Sequence, residues 1–115
     1  MNYSITTSCY FDVAAKKLAK KYSSFKDDLV NFGKYLLENP KQGTELAPGI
    51  RKIRMAIKSK GKGKSGGARV ITYNFITHEM DGEIVLLLIY DKEDASTAKV
   101  NVLKEIIKEE GYPIQ

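Results

Sequence analysis

Between Ile50 and Arg69 the chain carries Arg51, Lys52, Arg54, Lys58, Lys60, Lys62, Lys64 and Arg69 and no acid. The rest of the chain then holds 19 − 8 = 11 basic against 14 acidic residues, so this one segment makes a protein of net charge +5 basic. All of its arginines are here. Arginine's planar fork matches the paired oxygens of a phosphate and lysine adds a flexible point charge, so residue type as well as charge points to a polyanion. In IRKIRMAIK, Ile53, Met55 and Ile57 alternate with Lys52, Arg54, Ala56 and Lys58, the period of a half-buried strand that turns Lys52 and Arg54 away from the core. Arg69 directly follows the Gly/Lys tract, and Lys92 stands just past the apolar run Ile84 to Tyr90. Neighbouring ends of antiparallel strands bring such residues together. A rigid basic floor and a mobile basic flap would meet the polyanion. As bare composition, the tract also fits a soluble hairpin connection. GKGKSGG lacks the spacing of a Walker phosphate loop.

The elements that must position these residues are legible in outline. Tyr3 to Thr7 is β-prone. Asp12 is placed to cap a helix carrying Phe11, Ala14, Ala15, Leu18 and Tyr22 on one side and Lys16, Lys17, Lys20 and Lys21 on the other. Ser24, with Asp27 in capping-box position, opens a second helix with Phe25, Leu29, Phe32 and Leu36 on one face, and Asn39-Pro40 ends it. The period then changes to that of strands, from Lys52 and again from Ala68 to Ile76. Asp81-Gly82 reads as a hairpin turn, and Ile84 to Tyr90, apolar on both parities, as a central strand covered on both faces. From about Ser96 to Glu109 a last helix sets Val100, Leu103, Ile106 and Ile107 on one side. The order β-α-α-β-β-β-α predicts a single α+β domain, residues 1–115, with a helical hairpin and a C-terminal helix on a mostly antiparallel sheet.

Length and composition exclude several classes. A chain of 115 residues, 43% apolar, fits one modest core. One cysteine and one histidine supply neither a disulfide framework nor the usual zinc site. Cys9 reads as a small apolar residue near a strand end, and His78 as an ordinary loop residue. No apolar run suffices to span a bilayer and no signal-like segment is seen, so a cytoplasmic protein without membrane contact is expected.

GIRKIRMAIKSKGKGKSGGARVITY, followed by LLLIYDKED and a terminal helix, resembles the RelE/ParE superfamily of bacterial toxins, particularly its HigB/RelE-like branch. GKGKSGGARVI is the most specific part, and the element order extends the resemblance over almost the whole chain. The resemblance implies the toxin of a type II toxin-antitoxin system: a ribosome-dependent endoribonuclease acting on mRNA in the A site. It implies no cofactor or metal, and a cognate antitoxin, expected to be a helix-turn-helix protein. A ParE-like inhibitor of DNA gyrase and an inactive, purely binding relative stay open as alternatives.

The implied reaction needs a base for the attacking 2′-OH, stabilisation of the phosphorane, and a proton for the leaving 5′-oxygen. Without a histidine pair, a lysine whose pKa neighbouring cations lower can serve as base, while arginines remain charged clamps. Carried onto this chain, the resemblance makes Lys52 the candidate base or phosphate contact, Arg54 its paired cation, Arg69 the transition-state stabiliser and Lys92 the group that assists the leaving oxygen. Arg51, Lys58, Lys60, Lys62, Lys64 and Tyr73 are expected to contact RNA. The family's tyrosine near the start of the last helix has no equivalent, Ala98 lying there, which leaves the strand tyrosines Tyr73 and Tyr90 as candidates for base stacking.

Overall fold

The computed structural model describes residues 2–94 and 99–114. Five strands form one sheet in the order β1-β5-β4-β3-β2, where β1 is Tyr3–Thr7, β2 Thr44–Ala47, β3 Ile50–Met55, β4 Ala68–Ile76 and β5 Gly82–Asp91. Every pairing is antiparallel except β1 with β5. That exception follows from the route of the chain, because β1 is followed by the helical hairpin of α1 (Cys9–Lys21) and α2 (Phe25–Glu38), and β5 inserts beside it last.

The hairpin lies on one face of the sheet. Phe11, Leu18, Phe25, Phe32 and Leu36 pack there against Ile53, Met55, Val70, Ile84 and Leu86. On the other face, Leu103, Ile106 and Ile107 of the last helix, α4 (Val100–Glu109), meet Ile50, Ile71, Tyr73, Val85 and Leu87. The run Ile84 to Tyr90 is therefore apolar on both parities because both faces of β5 are covered, which secures an α+β domain with a mixed sheet.

Several local signals resolve differently in the structure. The cap of α1 is Ser8, whose hydroxyl accepts from the Phe11 N–H at 3.0 Å, and Asp12 lies in the first turn. Ser24 donates to Asp28 at 2.6 Å rather than forming a box with Asp27. Gly82 is the first residue of β5; the turn spans residues 77–81, with Met80 at φ 66°, and the glycine is needed because any Cβ would meet the Tyr3 ring. Cys9 is exposed and opens α1. Strand β2, four residues at an edge before Pro48, carried no readable period. The expected start of the last helix, including Ala98, falls outside the described residues. No helix among the described residues is long and apolar enough to cross a membrane.

Candidate functional site

Arg54 of β3 lies directly opposite Arg69 of β4, and Arg69 lies opposite Tyr90 of β5. Partners in register share a face, so Arg54, Arg69 and Tyr90 form one row across three strands spaced roughly 5 Å apart. The adjoining row is Lys52, Ile71 and Leu88, on the same face as α4. Lys92, two residues past Tyr90, opens a 3₁₀ turn, and its N–H donates to the Gly67 carbonyl at 3.0 Å. At about 3.3 Å of rise per residue, Lys52 stands roughly 7 Å to one side of the arginine row, and Lys92 follows the end of β5 on the other side. Gly67 fixes this register: a Cβ there would come within 2.1 Å of the Met55 carbonyl oxygen, so only glycine lets the chain enter β4 tightly enough to pair Met55 with Ala68 and hence Arg54 with Arg69.

The tract before Gly67 is folded rather than an open flap. Lys58–Lys60 form a 3₁₀ turn and Gly63–Gly66 one helical turn, α3. The Lys58 N–H donates to Asp28 at 3.0 Å and the Ser59 N–H to the Ser24 hydroxyl at 2.8 Å, which ties the first turn to α2. Arg69 holds the second. Its Nη1 donates to the Lys64 and Ala68 carbonyls at 3.3 and 3.2 Å, and its Nη2 to the Ser65 carbonyl at 3.0 Å. The guanidinium is thereby oriented by backbone, while its Nε has no hydrogen-bond partner among the described residues.

The eight cations of the tract, with Lys92, divide into two sets. Arg51 points to the hairpin face, where it pairs with Glu45 at 3.5 Å and donates to the Lys41 carbonyl, away from the arginine row. Lys60 corrects the expectation of an RNA-facing lysine most sharply: its side chain is 4% exposed and its ammonium lies 2.6 Å from the buried Asp91. Burial alone would raise the Asp91 pKa, but the Lys60 hydrogen bond, the Tyr22 hydroxyl, the Glu93 N–H and the Lys60 charge outweigh it and hold the carboxyl at about 2. Lys62 is exposed but takes Glu93 at 2.7 Å, and that hydrogen bond and charge raise the Lys62 pKa and lower that of Glu93. Lys52, Arg54, Lys58, Lys64, Arg69 and Lys92 have no ion-pair partner among the described residues.

Tyr73 is also corrected. It is 2% exposed, its ring packs among the α4 contacts and its hydroxyl donates to the Pro113 carbonyl, so no base can stack on it. Tyr90, the other strand tyrosine, is half-buried and lies in the arginine row. Sequence reasoning passed over Asn31 and Tyr35 of α2, which line a groove with Arg54 and Lys64. The available signal was that Tyr35 falls off the Phe25–Leu36 stripe. No protein-family model matches the chain.

Proposed function

We propose that the protein is the toxin of a type II toxin-antitoxin pair, restrained by a cognate antitoxin, and that it cuts mRNA on the ribosome through a site of lysine and arginine. The observation that carries the reading is Arg54 opposite Arg69 with no carboxylate among the described residues paired to either. Like charges directly across a ladder cost stability, and the cost is relieved when an anion lies between them. A phosphate on the row would have Lys52 toward one side and Lys92 toward the other, which supports separate roles for them as base and acid. Lys52 takes the proton of the 2′-OH as its oxygen attacks phosphorus; the Arg69 fork meets the charge of the phosphorane; Lys92 gives a proton to the departing 5′-oxygen. The products are a 2′,3′-cyclic phosphate and a free 5′-OH, and no cofactor enters. Tyr90 offers the adjacent ring face for a base.

The test is single-turnover cleavage of mRNA on programmed ribosomes at saturating protein, with the A-site codon varied. Cleavage within the A-site codon, leaving a 5′-OH, is expected; intact mRNA at every codon overturns the reading.

Ribosome binding should weaken steeply with salt, because displaced counterions supply much of the affinity. Replacing Lys58 and Lys64 with alanine should lower the slope of log K against log salt by roughly 0.7 to 0.9 for each lysine that meets a phosphate. Lys62→Ala should change it less, since Glu93 already holds that ammonium. Lys60 is left out because it is part of the fold. A slope unchanged by the double substitution removes both lysines from the interface.

A further inference from the structure

Strand β2 accompanies β3 only as far as Lys52, so from Ile53 to Met55 the outer edge of β3 has no strand beside it among the described residues. A groove of about 230 Å³ runs between this edge and α2. Its floor is Phe32 and Met55, its outer wall Tyr35 and Asn31. Tyr35 is 41% exposed and its hydroxyl donates to Gln42 at 3.1 Å, which fixes the ring. The Asn31 amide has no hydrogen-bond partner among the described residues, so two donors and an acceptor face outward.

Two links make the groove continuous with the arginine row. Arg54 belongs to both, standing opposite Arg69 in the sheet and lining the groove. Lys64, whose carbonyl Arg69 holds, extends its ammonium to 5.3 Å from the Tyr35 ring centroid. An RNA strand with a phosphate on Arg54 and Arg69 that continues over this edge brings its next base to the groove. We infer that the groove between α2 and the free edge of β3 holds one nucleobase of the bound RNA, stacked on Tyr35, with Asn31 facing its hydrogen-bonding edge. The inference rests on the proposed function and adds a recognition subsite to it.

The contents of the groove favour a base over an acidic peptide. The volume is below that of a typical drug-sized pocket and suits one planar ring system. The open edge offers only residues 53–55, too short to seat an added strand. The one carboxylate in the lining, Asp28, is buried and already accepts from Ser24 and Lys58, so it neither repels a phosphate nor competes for the base.

The test uses the full chain and two oligomers of eight nucleotides, both 2′-O-methylated against cleavage: one of uridine, one with every base removed. Tyr35→Ala should bind the uridine oligomer about tenfold more weakly than wild type, the scale of one base–aromatic stack, and the abasic oligomer equally well. Tyr35→Phe keeps the ring and loses only the Gln42 bond, so it should recover most of the affinity for the uridine oligomer that Tyr35→Ala loses, which separates stacking from a folding defect. Wild-type affinity of Tyr35→Ala for both oligomers overturns the inference, and if that variant at the same time loses affinity for a polyglutamate peptide, the groove belongs to an acidic protein segment. Ribosomal cleavage by wild type with no effect of Tyr35→Ala on oligomer binding sinks the subsite alone. Failure of wild type to bind either oligomer or to cleave on the ribosome sinks the proposed function with it.

Discussion

Arg69→Ala should lower single-turnover cleavage of ribosome-bound mRNA by roughly two or more orders of magnitude while ribosome binding weakens only modestly. A hundredfold loss corresponds to about 2.7 kcal/mol of transition-state stabilisation, the scale of one preorganised donor. Preorganisation is the part the structure supplies: three backbone carbonyls hold the fork in place before any substrate arrives. Those same bonds mean that the alanine also releases the turn Gly63–Gly66, so loss of rate alone is ambiguous. Arg69→Lys separates the effects. A lysine ammonium can still reach a carbonyl and keep the local charge, yet it lacks the planar fork, so it should retain most of the thermal stability and recover only a small part of the rate. Full activity of Arg69→Ala would remove the arginine row from the reaction.

The apolar period exposed most of the fold. Phe25, Phe32 and Leu36 are buried as their spacing requires, β4 spans Ala68 to Ile76, and Leu103, Ile106 and Ile107 turn inward together. These succeed because burying a stripe or an alternating face is a local property of sequence. What failed depends on partners far along the chain. The alternation of β3 separates Lys52 and Arg54 from Arg51, and the structure places them on opposite faces accordingly, but composition had pooled all the cations of the tract. Nothing near Lys60 announces its burial. The carboxylate that receives it is 31 residues away at the end of β5, and the tyrosine beside them belongs to α1's C-terminus. A lysine in a Gly/Lys tract is read as solvated unless an acid with no other partner can be seen to need it. Likewise, the facing of Arg54 and Arg69 is set by the contact of Gly67 with Met55, a backbone approach that leaves no pattern beyond the glycine itself.

Lys60→Ala should destabilise the protein by about 3–5 kcal/mol, the cost of stranding a buried partner, and therefore a large share of the stability of a domain this size. The Asp91 side chain is 1% exposed, and without the ammonium its partners among the described residues are the Tyr22 hydroxyl, the Glu93 N–H and the mostly exposed Lys21 at 3.7 Å. Asp91→Ala should cost a similar amount by stranding Lys60. The double substitution Lys60→Met, Asp91→Leu removes both charges and fills similar space, so it should recover much of either loss, an outcome that a simple packing defect at one position would not give. Acid provides an independent reading. The Asp91 carboxyl titrates at about 2 in the folded protein, against 3.8 in the unfolded chain, so its contribution is fully present above about pH 4 and is lost as pH falls toward 2. That contribution is roughly 2 kcal/mol, and urea unfolding between pH 5 and 2 should show it in wild type and not in Asp91→Ala. Loss of the acid limb and of the turn should coincide, because Lys60 is the side chain that pins the tract's first turn to β5. A Lys60→Ala protein as stable as wild type, with the same acid limb, would return this lysine to the solvent-facing set and the basic tract to a mobile flap.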